Sequence, residues 1–196
     1  LVKMSEDKIM NYAEEIINFK PSCEQEENDK KLIVGLVKEH GDKLLYRESE
    51  LFHITSSSLT MNKTLDKVLM VHHNIYNSWS WIGGHADGET DLLSVAMREI
   101  QEETGVSNVR PAQENAISLD ILTTNAHKKK GKHVSSHLHL NVSYYIIADE
   151  KEGLRIKPDE NSGVKWIPVD ELEQYVTEPD MMLIYKKILN KISNKI

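Results

Sequence analysis

Between Leu92 and Thr104 the chain sets Leu92, Leu93, Ala96, Met97 and Ile100 on one helical face, and Gly105 ends the run at once. A carboxylate, Glu103, falls inside that apolar arc, between Leu92 and Ala96 in angle. With Glu99 and Glu102 it makes a set at i, i+3 and i+4, which at about 100° per residue shares one arc of the helix. A lone carboxylate on a buried face is costly and tends to neutralise. Three like charges on adjacent turns also repel unless a cation sits between them. Hard divalent cations take such oxygen ligands, and Mg²⁺ characteristically uses one or two carboxylates together with substrate phosphates. The plain alternative is a solvated acidic helix face. It is disfavoured because the glycine-bearing stretch Gly83-Gly84-His85-Ala86-Asp87-Gly88 comes just before the helix. Glycine lets backbone approach a phosphate or turn tightly.

Around this helix the patterning predicts an α+β fold. Ile9, Tyr12, Ala13, Ile16 and Ile17 form one helical stripe, with Ser5 as cap and Pro21 as stop. Ser22 to Gln25 fits a capping box. Leu32, Ile33, Leu36 and Val37 follow as a second stripe, closed by Gly41. Residues 1–50 therefore read as a helical N-terminal extension and 51–196 as the main domain. Strands are expected from Phe52, over Lys67 to His72 as a central strand, and over Ser78 to Ile82, broken by Gly83-Gly84. Further strands are expected over Ile117 to Thr123, Leu138 to Ile147 and Val164 to Val169. Two helices end the chain, one around Asp170 to Val176. The other starts near Pro179, with Met181, Ile184, Tyr185, Ile188 and Ile192 on one face. Its lysines Lys187, Lys191 and Lys195 suit the negative helix end.

Gly84, thirteen residues, then Arg98-Glu99-Ile100-Gln101-Glu102-Glu103-Thr104-Gly105-Val106 resembles the signature of the Nudix hydrolases. The second half matches at every specified position. The first half departs: counted from Gly84, Glu89 sits one place early, and counted from Gly83, eight rather than seven residues separate it from Arg98. In the family that glutamate supports the arginine. The resemblance covers roughly Phe52 to Tyr175. It implies an α/β/α sandwich with a mixed sheet, to which the N-terminal helical hairpin is added. It also implies cleavage of a pyrophosphate bond in a nucleoside diphosphate linked to another group, with Mg²⁺ or Mn²⁺. By position, Glu99, Glu102 and Glu103 are implied metal ligands, with the Gly83 carbonyl as a further one, and Arg98 is implied to orient the carboxylates. The base that takes the proton from water is left open among Glu99, Glu103 and a carboxylate from a distant loop.

Other residues carry two readings each. Glu160 is either a further ligand or base, or part of a polar turn. His137 and His139 point to the same side of a strand, with His127 and His133 just before. They are packed or solvent-facing strand residues, they border substrate phosphates (His139 in particular), or with other histidines they hold zinc, although four-ligand spacing is not evident. Lys128 to Lys132 either reaches over a diphosphate or forms a solvated hairpin tip. Trp79, Trp81 and Tyr76, with Gly84, either line the substrate site or belong to the core.

Composition narrows the class. Lys plus Arg number 24 against 31 Asp plus Glu, a formal charge of −7, which disfavours long nucleic acid as a partner and weakens an RNA-end pyrophosphohydrolase reading. The longest apolar runs are five residues, far short of the ~20 of a membrane span. Leu1 to Asp7 lack a signal-type apolar segment, and Cys23 has no intrachain partner. A cytoplasmic location is expected, with a small nucleotide as substrate and a homodimer as one possible state. A nucleotide-sensing domain without turnover is the rival from another class.

Overall fold

The computed structural model describes residues 11–129 and 131–194. Ser5, Ile9, Lys130 and Lys195 lie outside them. Helix α1 (Tyr12–Asn18) is capped by Asn11, whose side chain accepts from the Ala13 amide. Helix α2 (Glu24–His40) starts at Cys23. The expected capping box is not the one formed: Ser22 donates through its amide and hydroxyl to Glu26, four residues on, rather than engaging Gln25.

A mixed sheet forms the middle layer. It comprises β1 (Phe52–Met61), β2 (Lys67–His73), β3 (Ser78–Ser80), β4 (Ile82–His85), β5 (Val109–Pro111), β6 (Ser118–Thr124), β9 (His137–Ala148) and β10 (Asn161–Pro168). The strand order is β10-β2-β1-β9-β5, with β3 on β2, β4 on β1 and β6 on β9. Strands β1 and β9 run parallel over the whole of β1, Phe52 opposite Leu138 through Met61 opposite Ile147, and every other pairing is antiparallel. Strands β7 (His127–Lys129) and β8 (Lys132–Val134) form a separate hairpin, with Lys128 and Lys129 on one strand and Lys132 on the other.

Side-chain alternation gives the sheet two faces. Ile54, Leu69, Val71, Leu140 and Val142 pack under α1, α2 and α3 (Leu92–Thr104), which contribute Tyr12, Ile16, Ile33, Val37, Leu92, Ala96 and Ile100 to one core. Leu59, Met61, Val68, Met70 and Ile147 pack on the other face against α4 (Leu172–Tyr175) and α5 (Pro179–Ser193), through Tyr185, Ile188 and Ile192. The result is the expected α/β/α sandwich, with the N-terminal helices packed into the same core as the sheet.

Several details differ from the sequence expectation. Gly83-Gly84 does not break a strand: both lie within β4, and the interruption falls at Trp81. The tight turn comes later, at Asp87 (φ 47°) and Gly88 (φ 90°). The segment around Asp170 is a 3₁₀ turn followed by one turn of helix. The last strand begins at Asn161, before Val164. Of the expected C-terminal lysines, Lys191 lies in the last turn of α5; Lys187 does not, and both side chains reach into the interior, to Glu26 of α2 and, for Lys187, Asp120 of β6.

A carboxylate cluster beneath a glycine strand

Helix α3 enters through its own turn chemistry. Asp91 caps it, accepting from the Ser94 amide at 3.1 Å and hydroxyl at 2.6 Å. Glu89 accepts from the amides of Thr90 at 3.0 Å and Asp91 at 3.2 Å. The displaced glutamate therefore organises the approach to the helix through backbone amides. Gly105 closes the helix in the left-handed conformation at φ 79°.

The two glycines act through the absence of a side chain in an extended strand. A Cβ on Gly84 would run into the carboxyl group of Glu99, and one on Gly83 into the Ser57 side chain and the Ser56 carbonyl. Strand β4 can thus lie directly over the carboxylates of α3. The Gly83 amide points at Glu103 Oε1, 3.4 Å away.

Glu99, Glu103 and Glu160 each bring one carboxylate oxygen within 4.8 Å of the others. Glu99 and Glu103 are one helical turn apart on α3; Glu160 comes from the loop before β10. Asn161 pins that loop. Wholly buried, it donates through Nδ2 to the Glu103 carbonyl at 3.1 Å and accepts from the Lys157 amide at 3.2 Å. Glu160 is marked in the sequence by its carboxylate, whereas Asn161 and Lys157 carry no local signal beyond a polar turn.

Burial decides the electrostatics. Glu103 is 4% exposed; desolvation first, then the charges of Glu99 and Glu160, push its pKa up to about 8. Burial, with Glu102 close by, also raises Glu99. Lys157 partly offsets this charge, with its Nζ 2.9 Å from Glu160 and 3.3 Å from Glu102. Its own burial works against protonation, but those two carboxylates outweigh it and hold its pKa up to about 12. Glu102 is not brought into the cluster. Its half-exposed carboxylate faces Arg98 Nε at 3.8 Å and Lys157. Arg98 also lies 4.0 Å from Glu99, a loose and partly solvated pair of small energetic weight.

Of the aromatic candidates, Trp81 is 8% exposed and stacks edge-on with Tyr185, whose hydroxyl accepts from the Trp81 amide at 3.1 Å. That is a core position, with no face open to a base. Trp79 packs edge-on against His72 and Tyr175, and Tyr76 stacks near His73. His139 lies across the sheet from α3. Burial first, then the rings of His53, His137 and His127, push its pKa down to about 3.

A three-layer sandwich with a glycine strand laid over a carboxylate helix is the architecture of the Nudix class. The chain belongs to this family: the NUDIX domain profile matches residues 52–190. Solved structures agree in fold. An Ap4A hydrolase of C. elegans, in a binary complex, is 15% identical with a TM-score of 0.54, covering 72% of this chain and 98% of that one. A NUDIX family hydrolase of Clostridium perfringens is 20% identical with a TM-score of 0.51, covering 71% and 97%. The NUDIX domain of Shewanella oneidensis NrtR, complexed with ADP ribose, is 18% identical with a TM-score of 0.50, covering 71% and 87%. A search of curated proteins returned no match. Among the described residues no helix is long and apolar enough to cross a membrane.

Proposed function

We propose that the protein is a divalent-cation-dependent hydrolase of the pyrophosphate bond in a nucleoside diphosphate linked to another group. The convergence of Glu99, Glu103 and Glu160 carries this reading. Three carboxylates, one of them buried and reluctant to ionise alone, form an all-oxygen donor set suited to Mg²⁺ or Mn²⁺. When bound there, such a cation neutralises diphosphate charge and acidifies water. Glu99 and Glu103 hold the cation from the rigid helix. Glu160, the outermost of the three and set on a loop, takes the proton from the attacking water. Arg98 lies loosely beside Glu99 and Glu102 on the solvent side, and Lys157 holds the Glu160 carboxylate in place. The backbone of β4 covers the site, with Gly84 leaving room for the Glu99 carboxylate.

Nucleotide or phosphate release from Ap4A, ADP ribose and nucleoside triphosphates, with Mg²⁺, Mn²⁺ or EDTA, tests this. Cleavage of at least one member, abolished by EDTA, is expected. The position of Glu89, committed to the turn before α3, favours a second reading, a nucleotide sensor without turnover. A panel that stabilises the protein against heat but is never cleaved would replace the hydrolase with that sensor. The acidic net charge keeps RNA ends out of first place.

Gly84→Ala separates site from scaffold. The new methyl meets the flexible end of Glu99, so the fold is expected to survive while the carboxylate swings away. Turnover should fall at least ~10-fold, in line with the sensitivity of catalysis to small misplacements, with a melting temperature close to wild type. Unchanged turnover would show that Glu99 does not need this position.

A further inference from the structure

Across β4 from the carboxylates lies a second group of ligating side chains. Alternation along β4 turns Gly84 toward α3 and His85 to the opposite face. There, β1 contributes His53 and β9 contributes His137 and His139. Ring centroids are 5.0 Å apart for His53 and His137, 5.1 Å for His53 and His139, and 4.9 Å for His137 and His139. His85 stacks at 5.0 Å from His53 and 5.2 Å from His139. The parallel pairing of β1 with β9 sets His53 directly opposite His139, bringing together residues that lie far apart in the chain.

The hydrogen bonds prepare these rings to donate lone pairs. His53 Nδ1 lies 3.0 Å from the Ser49 carbonyl, and His137 Nδ1 lies 2.8 Å from the Ser135 carbonyl. A carbonyl only accepts, so each ring holds a proton on Nδ1, and in the neutral tautomer Nε2 is the nitrogen with the free lone pair. His53 is 5% exposed, and its Nε2 has no hydrogen-bond partner among the described residues. A buried nitrogen left without a partner is expensive unless something fills its direction. His137 Nε2 and His139 Nε2 are 3.1 Å apart, and His139 also faces the Thr124 hydroxyl at 3.4 Å. One nitrogen from each of His53, His137 and His139 lies within 4.8 Å of the others.

We propose that His53, His137 and His139 form a transition-metal site of the zinc class, separate from the carboxylate cluster. Three imidazole nitrogens at metal–nitrogen distances of about 2.0–2.1 Å sit roughly 3.3 Å apart in a tetrahedral site. The His137–His139 pair already meets that spacing, and the 4.8 Å limit leaves only small ring movements for the third. Ring N–H groups tied to backbone carbonyls are the outer-shell arrangement that orients metal-binding histidines. On metal entry the His139 proton moves from Nε2 to Nδ1, beside Thr124. Imidazole donors select Zn²⁺, Co²⁺, Ni²⁺ or Cu²⁺ over Mg²⁺, the reverse of the carboxylate set. Strand β4 thus separates sites for two kinds of cation on its two sides.

The test uses the full chain, stripped by chelator and held in excess Mg²⁺ so that the carboxylates are occupied. Equilibrium dialysis against Zn²⁺ should find one tightly held ion per chain, and Co²⁺ should give the visible absorption of a tetrahedral nitrogen site. His139→Gln and His137→Gln should each weaken Zn²⁺ retention about 100-fold or more, whereas Glu103→Gln should retain the Co²⁺ spectrum. For wild type, ¹⁵N shifts of the histidine rings on Zn²⁺ addition should report three Nε2 ligands, a readout independent of how the variants fold. No retained Zn²⁺ under Mg²⁺, unmoved histidine shifts, or a Co²⁺ signal lost in Glu103→Gln but kept in His139→Gln would each overturn the proposal.

Discussion

Glu103→Gln is expected to lower kcat/KM by about 10³-fold or more, roughly 4 kcal/mol of transition-state stabilisation, while leaving the protein folded. Glutamine keeps the shape of the side chain and the contact with the Gly83 amide but removes the charge that a cation needs. The same substitution has a stability signature of opposite direction. In the folded, cation-free protein the Glu103 pKa stands near 8, above its unfolded value, so the folded state binds more protons across the interval between the two. Stability is therefore fully present below the unfolded carboxylate range and is lost as pH rises through about 8. In EDTA, wild type should lose roughly 5–10 °C of melting temperature between pH 5 and pH 8, given about 2–4 °C per kcal/mol for a chain of this size. Glu103→Gln should stay nearly flat. Adding Mg²⁺ at pH 8 should restore wild type alone, because the cation binds the folded form. Glu89→Gln, which touches only the turn before α3, should leave both readouts close to wild type. Retained activity in Glu103→Gln, or a wild-type melting temperature in EDTA independent of pH, would remove Glu103 from the site.

The layout of the sandwich was legible because its information is local. The helical stripe from Leu92 to Thr104 ends in its own glycine, and β1 and β2 are marked by β-branched and apolar runs. The placement of Glu103 in an apolar arc gave away a buried carboxylate before any tertiary contact was known. Non-local arrangements were not legible. Nothing in the local pattern says that Gly83 and Gly84 are needed for the space above Glu99 and Ser57 rather than for a turn. A glycine selected by a missing Cβ and one selected by a positive φ look the same in sequence. The positions of Glu102 and Glu160 were not legible for a similar reason. Helical spacing placed Glu102 beside Glu99, but the Asn161 side chain, bonded to the end of α3, brings Glu160 to Glu99 and Glu103, while Glu102 faces Arg98 and Lys157. The histidine group was half visible, as His137 and His139 on one strand. His53 joins it only through the parallel pairing of β1 with β9, which no short window of sequence contains.

Glu26→Ala is the substitution expected to cost the most stability. The helical hairpin at the N-terminus reads as an addition to the domain, yet its second helix carries a fully buried carboxylate. Glu26 receives the Ser22 amide and hydroxyl, the Ser118 hydroxyl at 3.0 Å, and the ammonium groups of Lys191 and, at 3.3 Å, Lys187 from α5. Lys187 also pairs with the buried Asp120, and Lys191 donates to the Ile117 carbonyl at 2.7 Å. Burial alone would raise the Glu26 pKa, but these lysines and the Ser22 amide hold it below the usual glutamate range. The carboxylate therefore stabilises the fold above that range, and the contribution is lost as pH falls through the lowered value. Removing it strands one nearly buried cation, Lys191, whose only carboxylate partner among the described residues is Glu26, while Lys187 keeps Asp120; breaking such a buried set from one side costs about 3–5 kcal/mol. For this chain that is roughly 10 °C in melting temperature. Combining Glu26→Ala with Lys191→Met should recover part of the loss, since the double variant no longer leaves Lys191 uncompensated. Turnover below the melting transition should stay within about 2-fold of wild type, because the network joins α2, β6 and α5 and touches none of the three clustered carboxylates. Such a result would make the N-terminal helices a structural part of the domain, joined to it by charge as well as by Tyr12, Ile16 and Ile33. A melting temperature unchanged by Glu26→Ala would mean that the hairpin is attached by its apolar face alone.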